Sequence, residues 1–483
     1  MKPFAADPGF ARREFLRTGT IGIGAMALAS LNKAFPKVGD TAQPPAPFGT
    51  SHGVHTLDHA PKAKQVIFLH MVGGPSQMDL FDPKAALAKY EGRSLPAEVT
   101  RGQKFAFVGP DAKVISSPYQ FRQHGESGMV MSDLLPRMSG VVDDLCMVRS
   151  MKTDEINHSS GELVLNTGHR LIGRPSFGAW ASYGLGTENS DLPAYVVLTN
   201  GIPVAGSPVW GAGFLPAQHQ GVRFRGGAQP VFYLDDPEHI DRERRKRIVD
   251  GTNALNQLSF DRLQDPGISA RIKQYELAYR MQTAVPEMVD LKQESQHVLD
   301  LYGIKDPAED SYAKNCLLAR RLVESGVRFV QIFVQGWDHH ADIYEKLKGK
   351  CNEVDQGTAA LITDLKQRGM LDETLIVWGG EFGRTPMAQV VSAAGDPTGP
   401  GRDHHKESFT VLMAGGGVKG GLTYGTTDDF GFGVSENPVH VHDWHATCLH
   451  LLGIDHERLT YKYQGLDARL TQVHGHVVKD LIA

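Results

Sequence analysis

Val66-Ile67-Phe68-Leu69 runs straight into His70-Met71-Val72-Gly73-Gly74-Pro75-Ser76-Gln77-Met78-Asp79. The apolar run reads as a buried strand, and the glycines, proline and serine that follow read as a polar loop. The same arrangement recurs along the chain. Val327-Arg328-Phe329-Val330-Gln331-Ile332-Phe333-Val334 follows a helix expected over residues 311–325 and leaves through Gly336-Trp337-Asp338-His339-His340. Thr374-Leu375-Ile376-Val377-Trp378 follows a helix ending near Arg368-Gly369 and opens into Gly379-Gly380-Glu381-Phe382-Gly383-Arg384-Thr385-Pro386. Phe409-Thr410-Val411-Leu412-Met413 is preceded by Gly401-Arg402-Asp403-His404-His405. Strand-like runs alternating with helical segments predict an α/β fold, a mainly parallel central sheet flanked by helices. Ligands of such sheets gather outside the carboxyl ends of the strands, so the polar residues at these borders form a candidate site assembled from distant segments.

The chain has 483 residues, 41% of them hydrophobic, with a formal charge of −5. That balance supports a large buried core, and nothing in it suggests nucleic-acid binding or disorder. Residues 61–483 are expected to form a single domain, because α/β folds often exceed the usual size of about 150 residues. Residues near 235–302 read as a helical segment within it. The basic run Arg242, Arg244, Arg245, Lys246 and Arg247 is flanked by acids there and reads as a solvated helix face. Cys146, Cys316, Cys351 and Cys448 show no C-x-x-C spacing and read as buried thiols.

The N-terminus points to export. Arg12-Arg13-Glu14-Phe15-Leu16-Arg17 precedes an uncharged run over residues 18–31, too short and glycine-rich for a permanent membrane span. Paired arginines in that position are a twin-arginine signal. Residues 1–31 are therefore expected to be the signal segment, with Ala27-Leu28-Ala29 as a small-residue cleavage site, and residues 32–60 a linker. The translocation machinery is the expected partner, the periplasm or exterior the expected location, and no stable transmembrane span is expected after processing.

Among the loop residues, Asp338, His339 and His340 combine oxygen and imidazole donors, and His404 or His405 could complete a site for a divalent ion. Loop-anchoring hydrogen bonds are the alternative use of these histidines. Glu381 could bind metal or act as a base, and Arg384 could hold an oxyanion bidentately, unless the two simply brace the loop as an ion pair. Asn157-His158-Ser159-Ser160 opens a helix ending at Thr167-Gly168, with Ser159 or Ser160 an acceptable N-cap. Asp443 is expected to cap the helix running to about Leu452.

Taken in order, these motifs are recognisable. Gly73-Gly74-Pro75-Ser76 with Phe81-Asp82-Pro83-Lys84, Asn157-His158, Gly336-Trp337-Asp338 with His340, Glu381 through Pro386, and Gly401 through His405 resemble the domain-of-unknown-function 1501 family. The closing His442-Asp443-Trp444-His445-Ala446-Thr447 through Leu451-Leu452-Gly453 fits as well, and the resemblance runs from about Lys64 to the C-terminus. It implies an alkaline phosphatase-like three-layer sandwich, placed by distant similarity with the alkaline phosphatase and sulfatase superfamily. Counting back from Thr167-Gly168 then puts His158 at or near the superfamily's nucleophile. The first-strand metal aspartate would fall near Gly73 or Gly74 and is missing unless Asp79 reaches in. Glu381-Phe382 stands where the superfamily has Asp-His, while Asp338, His340 and one of His404 or His405 resemble the ligands of the other metal position.

The resemblance thus implies one metal site and one degraded site. The expected function is an exported, metal-assisted hydrolase of a phosphate or sulfate ester, acting on an anionic small molecule or polysaccharide. In it Asp338, His340, His404 and His405 are the candidate ligands of one ion, zinc or calcium/magnesium-like. His158, Glu381 and Arg384 are the candidate catalytic residues. The alternative is a non-catalytic protein of the same fold that binds an anionic polysaccharide or a partner.

Overall fold

The opening strand, β1 (Gln65–Val72), is buried at every position, as its unbroken apolar run requires. The computed structural model describes residues 57–225, 230, 231, 234, 236, 239–389 and 399–483. The signal segment expected over residues 1–31, and the linker up to residue 56, lie outside the described residues.

The remaining main-sheet strands are β2 (Leu145–Lys152), β3 (Tyr195–Asn200), β4 (Val222–Phe224), β5 (Phe329–Gln335) and β6 (Thr374–Gly379). Two further strands, β7 (Gly383–Gln389) and β8 (Gly401–His405), form a separate antiparallel pair. The main sheet continues with β9 (Phe409–Ala414), β10 (Leu422–Tyr424) and β11 (Val439–His440). Its order is β10-β2-β9-β6-β1-β5-β3-β4, with β11 also on β2. All its pairings are parallel except the two made by β9, which runs antiparallel between β2 and β6. The expected mainly parallel sheet is present, and the fourth strand read from the sequence is its exception.

Side chains alternate across β1, and the two faces meet different helices. Ile67, Leu69 and Met71 join the core under α5 (Tyr312–Glu324) and α6 (Ile343–Gln367). Val66, Phe68 and Val72 join the core under α1 (His158–Thr167), α2 (Phe177–Leu185) and α7 (Val441–Leu451). The result is three layers. In α6 the buried Ile343, Leu347, Cys351, Val354, Leu361 and Leu365 recur at helical spacing. Burying each large apolar side chain contributes about 1.5–3 kcal/mol, which explains why this long helix docks along its whole length. The remaining long pair, α3 (Arg242–Leu263) and α4 (Pro266–Val289), packs against itself, and α3 buries no residue. Its basic run is a solvated face, with Lys246 2.8 Å from Asp250 and Arg247 3.7 Å from Glu243. All four cysteines are buried free thiols.

Two helix starts differ from expectation. The side chain of Asn157, not Ser159 or Ser160, caps α1 by accepting the Ser159 N–H. At α7 the cap is His440, and Asp443 sits three residues in, accepting the His440 N–H as the reciprocal half of a capping box.

Strand register fixes the site. Val72 lies beside Gln335 and His70 beside Gly379, so Gly73, the loop from Gly336 to His340, and Glu381 all emerge beyond one edge of the sheet. The β7–β8 pair places His404 opposite Arg384. Gly73 has a φ of +118°, and a Cβ there would come 2.5 Å from the Asp338 backbone nitrogen, so only glycine allows these two loops to touch.

Candidate metal centre

His158, Asp338, His340 and His404 converge, each offering one ligand atom, with these atoms all within 4.8 Å of one another. Each arrives differently. His158 opens α1, Asp338 and His340 stand on the loop after β5, and His404 comes from β8. Asp338 is the hub. Its Oδ1 lies 2.8 Å from His340 Nε2, 3.1 Å from His404 Nε2 and 2.6 Å from Arg384 Nη2, and its Oδ2 lies 3.1 Å from His158 Nε2.

The far side of each ring is fixed by an acceptor. His158 donates its Nδ1 proton to Glu381 Oε1 at 2.7 Å, His404 to the Ile156 carbonyl at 2.8 Å, and His340 to the Gln389 side-chain oxygen. With Nδ1 protonated, a neutral imidazole presents an Nε2 lone pair, and all three Nε2 atoms here face one carboxylate. Outer partners of this kind orient metal-binding histidines. His340 Nε2 and His404 Nε2 sit only 2.9 Å apart, so a proton or a cation must lie between them. His158 Nε2, although near Asp338, makes no well-directed hydrogen bond. Tetrahedral zinc with ligand bonds of about 2.0–2.1 Å separates its donors by roughly 3.3 Å. The donor set and its spacing fit an ion of that kind.

Electrostatics agree. Burial works against the Asp338 carboxylate, but the close ring nitrogens of His158, His340 and His404 and the Arg384 charge hold it far below the usual range. Burial also works against a charge on His158, yet the Asp338 and Glu381 carboxylates outweigh it and push the ring up to about 9. For His404 burial prevails and its pKa is lowered.

Three expected roles change. Arg384 has no exposure, and its guanidinium is taken by the carbonyls of Gly73, Gly74, Trp337 and Arg402 and by Asp338. Buried, and with Nε, Nη1 and Nη2 each bonded within the protein, it locks the loops and orients Asp338 instead of facing a substrate oxyanion. His405, a candidate ligand in the sequence, faces away from the cluster and donates to the Phe432 carbonyl. Asp79 does not reach in either. It is buried against Arg402, 2.8 Å from Nε, and accepts from the Ser76 hydroxyl at 2.6 Å. His339 is buried and, like His405, outside the cluster.

Glu381 has no solvent exposure and stands behind the centre. It accepts from His158, from the Gly73 N–H at 2.9 Å and from His70 Nε2 at 3.3 Å. His70 continues a buried chain: its Nδ1 meets Asn166 Nδ2 at 3.4 Å, and Asn166 Oδ1 accepts from Gln331 Nε2 at 2.6 Å. The sequence did carry a signal for these three, since polar residues inside strands or helices buried all round must be partnered there. Phe382 packs its ring 4.9 Å from His158 and 4.6 Å from His404.

Beside the centre lies a cleft of about 350 Å³, lined by His158, Asp338, Asn200, Val204, Gln335 and Lys350. A larger cavity of about 620 Å³, bordered by Trp210, Arg223 and Tyr279, holds none of the candidate residues.

A comparison with curated proteins gives no match. Solved structures similar to this chain include the lipoteichoic acid synthase LtaP from Listeria monocytogenes, 9% identical over 85% of this chain and 75% of that one, with a TM-score of 0.35. The alkaline phosphatase from the Antarctic bacterium TAB5 is 10% identical over 74% and 92%, with a TM-score of 0.30. The PsFucS1 sulfatase from Pseudoalteromonas sp. is 14% identical over 85% and 72%, with a TM-score of 0.34. Likenesses of this size decide neither chemistry nor substrate. The sequence itself is more definite: a family model matches residues 63–482 almost end to end, and the chain belongs to the family described as protein of unknown function, DUF1501.

Proposed function

We propose that the protein is an exported hydrolase of a phosphate or sulfate ester that works with one divalent ion, held by Asp338, His340 and His404. The observation that carries this reading is ring orientation: histidines with Nδ1 fixed by outer acceptors turn Nε2 onto one shared carboxylate. Imidazoles with a carboxylate favour zinc over calcium or magnesium, which prefer oxygen donors. Such an ion supplies positive charge for the substrate's anionic group and for the charge that develops as the ester is cleaved.

The chain's own residues do the rest. Lys350, its ammonium paired with Glu353, lines the cleft beside the centre, and Asn200 and Gln335 line it with amides. His158, with Nδ1 held by Glu381, brings Nε2 to 3.1 Å from Asp338 and borders the cleft, and it is the group of this site that can take or give a proton. Arg384 and Glu381 position Asp338 and His158 without touching substrate. Export is supported by Arg12-Arg13 and the apolar run after them. No helix among the described residues is long and apolar enough to cross a membrane.

A second reading rests on His158 Nε2, which is buried and lacks a directed partner within reach of the other donors. As a fourth ligand it would close the ion's coordination, and closed sites are structural. The protein would then be the non-catalytic binder of an anionic polysaccharide or partner. His158→Gln separates the readings. Under the hydrolase reading the variant keeps its ion and loses turnover of phosphate or sulfate esters by about 10²–10⁴-fold. Loss of the ion, with no ester turned over by the wild type, establishes the second.

A further inference from the structure

Phe107 is a large aromatic side chain left 65% exposed. Single exposed apolar residues are ordinary, so exposure alone means little. What surrounds Phe107 means more. Its ring lies 5.1 Å from that of His340 and 5.5 Å from that of His404, edge-on to both. Its neighbours Phe105 and Val108 are tucked partly into a small apolar core with Phe432 and Met387, so the chain turns this one side chain outward.

The segment is also held there by a dedicated group. Asp403 has no exposure, and its Oδ2 accepts the Phe107 N–H at 2.8 Å and the Val108 N–H at 3.0 Å. Its Oδ1 accepts the His404 N–H at 2.8 Å. One buried carboxylate therefore ties the loop bearing Phe107 to the strand bearing His404. Charge-assisted hydrogen bonds to a buried acceptor are strong and costly to break, so Phe107 keeps its place relative to the centre. An aromatic held open beside metal-type ligands presents a face for a flat, C–H-bearing ring such as an aryl group or a sugar.

We propose that Phe107 is the specificity-determining residue of this site, and that the substrate is an ester whose organic group carries such a ring, packed on Phe107 while its anionic end sits at the centre. The proposal rests on the hydrolase reading. Asp403 is the positioning residue for this contact. Phe107 stands on the His340–His404 side, apart from the cleft lined by Lys350, so the two ends of the substrate are recognised by different walls.

The test compares benzyl phosphate with methyl phosphate, and benzyl sulfate with methyl sulfate, on the full chain; each pair shares the same type of alkyl leaving group. Phe107→Ala is expected to raise KM for the benzyl ester about three- to tenfold and to leave the methyl ester within about twofold, with bound metal unchanged. Phe107→Trp is expected to restore the preference. A ring that merely shields the metal would instead alter metal retention, or shift both esters alike. Either result, or no shift at all, overturns the proposal. Wild-type protein that turns over none of these esters sinks the hydrolase reading instead. The contact is then read from benzylphosphonate and methylphosphonate affinities, and an unchanged ratio in Phe107→Ala overturns it.

Discussion

His158 Nδ1 lies 2.7 Å from Glu381 Oε1, and that carboxylate is closed off from solvent by the ring, by Gly73 and by His70. An acceptor-only group in this position dictates the tautomer of the imidazole in front of it.

Glu381→Gln keeps the shape and removes that control, because an amide must turn an NH₂ toward a donor that Glu381 now satisfies. With the ion held by Asp338, His340 and His404, the variant is expected to keep its metal and to lose ester turnover with His158. A fall in metal affinity of about 10–100-fold, the usual cost of losing a ligand's outer partner, would instead make His158 a fourth ligand. Competition with a chelator beside an ester assay measures both. Unchanged affinity and unchanged turnover would show that the Glu381–His158 contact only braces the loop.

The proton on His158 gives a pH signature. In the ion-free protein its pKa is pushed up to about 9, against about 6.5 for an unperturbed histidine. The folded state holds the proton more tightly, so its contribution to stability is complete below about pH 6.5 and fades as pH rises through 9. Each pH unit inside that window is worth about 1.4 kcal/mol at most. A cation at Asp338 repels the same proton, so metal affinity should rise by up to about tenfold per unit over pH 7–9. Calorimetry with chelator should show Tm falling across that range, and a fixed low zinc concentration should reverse the trend. Parallel curves would mean that His158 does not share the ion's site.

Asp79 and Arg402, both without exposure, are predicted to serve the fold alone. Asp79→Asn leaves a buried guanidinium uncompensated and should cost about 3–5 kcal/mol. Denaturant unfolding measures that loss, and elemental analysis of the folded fraction should find metal content unchanged. Metal lost at full stability would return Asp79 to the site.

Much of this was legible beforehand, for definite reasons. β1, β5 and β6 are runs of bulky apolar residues ending in glycine loops, and a two-faced buried strand can hardly be written otherwise. Asp338, His340 and His404 stand at strand borders, where such sheets expose their ligands. The antiparallel direction of β9 was not legible, because an apolar run carries no sign of direction. Nor was Arg384's role. A guanidinium suits an oxyanion and a ring of carbonyls equally well, and only the close approach of the Gly73-Gly74 and Trp337 backbone shows which it meets. His404 and His405 are neighbours on one strand, so their side chains point to opposite faces, and only the register opposite Arg384 selects His404.

Export is expected to depend on the arginine pair, since the signal is read by a receptor and not by hydrophobicity alone. Arg12→Lys with Arg13→Lys should leave precursor in the cytoplasm, scored by cell fractionation. Undiminished export of the double variant would remove the assignment.

The central claim is that one ion is held at Asp338. Elemental analysis of the purified protein beside Asp338→Asn tests it most directly, because that substitution removes the charge facing all three Nε2 atoms and leaves the shape. One divalent ion per chain is predicted for the wild type, and little or none for the variant. Two ions per chain, or one ion indifferent to Asp338→Asn, would contradict the account.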